Sequence, residues 1–60
     1  MTKILVVEDN DEIRELIVRE LKRRKYEVLT ANDGEQGIAK AKGENPALII
    51  MDLNRPTRVG

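Results

Sequence analysis

With 60 residues the chain has room for one small domain, 1–60, and a domain of this size buries only ~60% of the surface its unfolded form exposes. There is no Cys and no His, which excludes a disulfide framework and the usual zinc sites, so support must come from self-association or from a metal held by oxygen. Lys plus Arg and Asp plus Glu balance at 11 each, so no net field favours nucleic acid or an anionic membrane.

No apolar run approaches the ~20 residues of a membrane span, and Ile4–Val7 is too short for a signal-peptide core. The expected location is cytoplasmic.

Ile4-Leu5-Val6-Val7 is β-branched-rich and too short for a helix, which predicts a central parallel strand. Glu8 and Asp9 follow it directly. Asn10 is a good helix N-cap, and Asp11 and Glu12 suit the positive end of a helix dipole. Ile13, Leu16, Ile17 and Leu21 then recur at helical spacing. The run Lys22-Arg23-Arg24-Lys25 complements the helix C-terminus and reads as a solvated end, since nothing aromatic or Gly-rich accompanies it.

Tyr26–Thr30 has the composition of an edge strand. Asn32 or Asp33 can cap a second helix running to about Lys42. Its apolar content is thin, and Gly34 and Gly37 make it dependent on tertiary packing. Gly43 is placed as the residue that ends this helix, and Pro46 prevents its continuation. Ala47-Leu48-Ile49-Ile50-Met51-Asp52 is an apolar run closing on a carboxylate. It predicts a strand buried on both faces, with Asp52 at its carboxyl end, where open α/β sheets put their ligands.

Strand, helix, strand, helix, strand makes two βαβ units, and right-handed crossovers give a three-stranded parallel sheet in order 2-1-3 with one helix per face. Glu8, Asp9 and Asp52 then project from adjacent carboxyl ends. Three carboxylates converging there repel one another unless a cation neutralises them, and hard oxygen ligands favour Mg²⁺. The simpler reading of Glu8 and Asp9 alone is that they enrich a helix N-terminus in negative charge. A nucleotide-binding crevice is disfavoured, because no G-x-G-x-x-G follows the first strand.

Ile4-Leu5-Val6-Val7-Glu8-Asp9-Asn10, Tyr26-Glu27-Val28, Ala31-Asn32-Asp33-Gly34 and Leu48-Ile49-Ile50-Met51-Asp52-Leu53 together resemble the response-regulator receiver domain of two-component signalling. The resemblance runs from residue 3 to about residue 56 and implies the N-terminal half of a flavodoxin-like α/β fold. It implies a signalling module rather than an enzyme. Asp52 would be the phosphoacceptor for a histidine kinase, and Mg²⁺ would be held weakly by Glu8, Asp9, Asp52 and the backbone carbonyl of Asn54.

Receivers also carry a Ser or Thr after the fourth strand and a Lys after the fifth, and these 60 residues do not reach them. Phosphoryl transfer depends on positioning and charge stabilisation, so reduced activity is expected. The alternative is a self-associating structural half-domain without signalling activity.

Three departures from the family pattern stand out. Lys25 occupies a position where Gly is common, so a left-handed helix cap there would be strained. Ala47 replaces a common Asp. Arg55 and Arg58 either lend positive charge to Asp52 or solubilise a loop, and surface arginines favour the second reading. Finally, the outer edge of the third strand lacks a neighbour, which predicts a homodimer joined through that edge.

Overall fold

The computed structural model describes residues 1–51, so Asp52, Asn54, Arg55 and Arg58 lie outside the described residues. The elements in order are β1 (Lys3–Val7), α1 (Asp11–Arg23), β2 (Glu27–Ala31), α2 (Gly34–Glu44) and β3 (Leu48–Met51). They form the expected parallel sheet in order β2-β1-β3. Ile4 pairs in register with Val28 on one side and Leu48 on the other, and Val7 pairs with Ala31 and Met51.

The first crossover runs from β1 to β2 and the second runs back across β1 to β3, in the opposite direction, so their common right hand puts α1 and α2 on opposite faces of the sheet. Leu5, Val7 and Ala31 form the core cluster, with Leu29 and Ala41 of α2 packed against it. By strand alternation Ile4 and Val6 point to the other face, where α1 lies. Both faces of β1 are therefore covered, and Leu5 and Val6 are fully buried.

Coverage stops there. Against the sequence expectation, β3 is not buried on both faces: Leu48 is 53% exposed and Met51 46%. The helices pack on β1 and β2, and β3 packs chiefly against β1. The apolar stripe of α1 is likewise only partly used. Ile17, Val18 and Leu21 are half-buried, whereas Ile13 and Leu16 are exposed.

Helix ends follow local chemistry. Asn10 Oδ1 accepts from the Ile13 N–H at 3.0 Å, which caps α1 as expected. At its other end, Lys25 N–H donates to the Lys22 carbonyl and Tyr26 N–H to the Leu21 carbonyl, the paired bonds of a Schellman turn. That turn needs a left-handed residue, and Lys25 supplies it with φ 69°. The strain anticipated at this position is present.

The end of α2 differs from expectation. Gly43 lies inside the helix, and the left-handed residue is Asn45, φ 51°, whose N–H donates to the Ala41 carbonyl at 2.9 Å. Asn tolerates this conformation better than most residues, so a glycine is not required. The helix therefore runs two residues past Lys42. β2 is shifted one residue onward from Tyr26–Thr30, which brings Ala31 into the core.

Gly37 explains how a helix with so little apolar surface packs closely. A Cβ at this position would lie 2.8 Å from Val7 Cγ2. Val7 is buried and β-branched, so it has little freedom to move aside.

Two stability changes of opposite sign follow. Lys25→Gly should raise the urea midpoint, gaining about 1 kcal/mol by removing a side chain from the left-handed region. Gly37→Ala should lower stability by about 1–2 kcal/mol from overpacking, despite its better helix propensity. In a Val7→Ala background the Gly37 substitution should become neutral or stabilising, which a double-mutant cycle reads directly.

Candidate functional site

At the carboxyl ends of the strands lies a cleft of about 140 Å³, lined by Val7, Glu8, Asp9, Asn32, Asp33, Gly34 and Met51. Each wall comes from a different part of the chain. Val7, Glu8 and Asp9 are the end of β1 and the residues leaving it. Asn32 and Asp33 join β2 to α2, Gly34 opens α2, and Met51 ends β3. Of the residues expected at the site, Glu8 and Asp9 line this concavity at the rim of the sheet.

Glu8 is the most constrained group in it. Only 3% exposed, it prolongs the sheet by donating its N–H to the Ala31 carbonyl at 3.1 Å. Its carboxylate Oε2 accepts from the Asn10 N–H at 2.9 Å, and its backbone carbonyl accepts from Arg14 Nη1 at 2.9 Å. A buried carboxylate is costly unless hydrogen-bonded, and the tight turn into α1 provides that bond locally. Asp9 is exposed beside it.

Across the cleft, Asp33 caps α2 by accepting from the Gln36 N–H at 2.9 Å, while Gln36 Oε1 accepts from the Asn32 N–H at 3.1 Å. These reciprocal bonds resemble a capping box and fix the opposite wall. Sequence reasoning treated Asn32 and Asp33 as alternative caps and did not place them at the site. Arg14 was missed as well, because a charged residue on a helix reads as solvated.

Among the described residues, no three acidic, His or Cys side chains are grouped to hold a metal. Glu8 and Asp9 are brought together; Asp52 and Asn54, the other expected ligands, lie outside the described residues. Two adjacent carboxylates are nonetheless a fitting donor set for Mg²⁺, which takes one or two carboxylates and keeps several waters.

Comparison with known proteins decides the family. The sequence profile of the response regulator receiver domain matches residues 4–60. The chain belongs to the response-regulator receiver family. Among relatives, this receiver is 46% identical over 54 residues to the alkaline phosphatase synthesis transcriptional regulatory protein PhoP of Bacillus subtilis, covering 90% of the chain and 22% of PhoP. It is 44% identical over 55 residues to the transcriptional regulatory protein ResD of the same organism, covering 92% of the chain and 23% of ResD. The CAI-1 autoinducer sensor kinase/phosphatase CqsS of Vibrio cholerae is 39% identical over 54 residues, which is 90% of the receiver chain and 8% of CqsS.

The receiver thus spans about a fifth of the regulators it matches. Two-component signalling is the setting that this membership gives it. Among the described residues, no helix is long and apolar enough to cross a membrane.

Proposed function

We propose that the chain receives a phosphoryl group from a histidine kinase on Asp52, with Mg²⁺ held by Glu8, Asp9, Asp52 and the Asn54 backbone carbonyl. The observation that carries this reading is the cleft itself. It sets the Glu8–Asp9 pair beside Met51, the residue immediately before Asp52, in a chain of the receiver family.

Bound Mg²⁺ would neutralise charge on the carboxylates and on the incoming phosphoryl oxygens. The chain's own part is to present the acids from a rigid strand end, with Glu8 anchored through both its backbone and its carboxylate. A cytoplasmic location and a kinase partner belong to the same reading, and nucleic acid does not.

A second reading, a self-associating structural unit without phosphorylation, is favoured by the exposure of Leu48, Ile49 and Met51 on β3. A hydrophobic edge strand is a template for pairing. Two copies joined there about a two-fold axis would form a sheet in order 2-1-3-3′-1′-2′.

The readings separate in two measurements. Incubation with Mg²⁺ and a small phosphodonor should give a phosphate adduct by mass spectrometry, lost in Asp52→Ala; no adduct on the parent chain would favour the structural unit. Sedimentation velocity at micromolar concentration should show a dimer, and a folded monomer would remove the edge-pairing proposal.

A further inference from the structure

The strand end is tied to α1 by one side chain that no role has yet been given. Arg14 sits one turn into α1, and its side chain is only 19% exposed although Ile13 and Glu15 on either side of it are exposed. Nη1 donates to the Glu8 carbonyl at 2.9 Å, and Nη2 donates to Asp11 Oδ1. We propose that Arg14 is a positioning residue for the acidic pair, fixing the peptide between Glu8 and Asp9 so that both carboxylates meet a cation in the cleft. The proposal rests on the Mg²⁺-dependent receiver reading above.

An Arg–Asp pair three residues apart on a helix surface contributes little by itself. The bond to Glu8 differs because the peptide unit is planar. Holding the Glu8 carbonyl orients the Asp9 N–H and, through it, the start of the Asp9 side chain. The Glu8 N–H is already held by the Ala31 carbonyl, and its Oε2 by the Asn10 N–H. Arg14 adds a constraint on the side of the peptide that leads to Asp9.

Its guanidinium also brings a permanent positive charge to the Glu8 carbonyl, at the peptide from which the acidic pair springs. The forked geometry matters, since Lys offers a point charge and cannot serve the carbonyl and Asp11 as two parallel donors do. Residues that orient metal ligands typically change affinity 10–100-fold when removed.

The test is a MgCl₂ titration of the whole chain, followed through the amide resonances of Asp9 and Asn10, for the parent, Arg14→Met, Arg14→Lys and Asp9→Asn. Arg14→Met should weaken Mg²⁺ binding by about 10-fold and Arg14→Lys by a smaller factor. In the metal-free chain, Arg14→Met should also speed hydrogen exchange at the Asn10 amide. If Arg14→Met does not fold, Arg14→Lys carries the test. A merely structural role predicts lower stability with unchanged affinity in the folded molecules, and that result in the folded variants would overturn the inference alone. A parent chain with no saturable shift sensitive to Asp9→Asn would overturn the receiver-site reading, and this inference with it.

Discussion

The structure depends on one strand having no free side. β1 is hydrogen-bonded along both edges and covered on both faces, and every other element is located by its relation to it. The Thr2 and Lys3 carbonyls extend the pairing by accepting from Glu27 and Ala47 N–H at 2.8 and 2.9 Å, and Glu8 N–H extends it at the other end. A strand so enclosed can finish on charged residues only where it leaves the sheet. That geometry sends Glu8 and Asp9 to the rim while Val7, one residue earlier, remains in the core.

The rim is then shaped by the close approach of α2. Because Gly37 carries no side chain, the helix settles against Val7, and its first residue, Gly34, comes to line the same cleft as Glu8. The opening of α2 thus sits beside an acidic pair, where the positive end of its dipole offsets part of their charge. Core packing and site electrostatics meet at one contact between a glycine and a valine.

What could be read from the sequence was what local chemistry decides. The apolar run of β1, the Asn10 cap, the topology and the strained Lys25 all depend on residues close in sequence or on the fixed hand of crossovers. The exposure of Leu48, Ile49 and Met51 was harder to foresee, because a continuous apolar run reports the preference for burial and not whether anything lies above it. Asn45 took the role expected of Gly43 because both residues tolerate a left-handed conformation and only the packed length of α2 chooses between them. Gly37 read as a helix-weakening residue, since its partner Val7 is thirty positions away. Arg14 was hidden for the same reason in smaller compass: its acceptor is a backbone oxygen, which leaves no signature in side-chain patterning.

The opposite end of the sheet is held in another way. Lys3 Nζ reaches Glu44 Oε1 at 3.1 Å, the Glu44 carbonyl at 3.3 Å and Glu27 Oε2 at 4.0 Å, drawing the starts of β1 and β2 toward the last turn of α2. These contacts are ionic and partly solvated, so dissolved electrolyte weakens them, whereas the neutral backbone bonds of Thr2 and Lys3 at the same rim are far less sensitive. Concentrated brine would therefore loosen the last turn of α2 from the sheet while the strands beneath it stay paired.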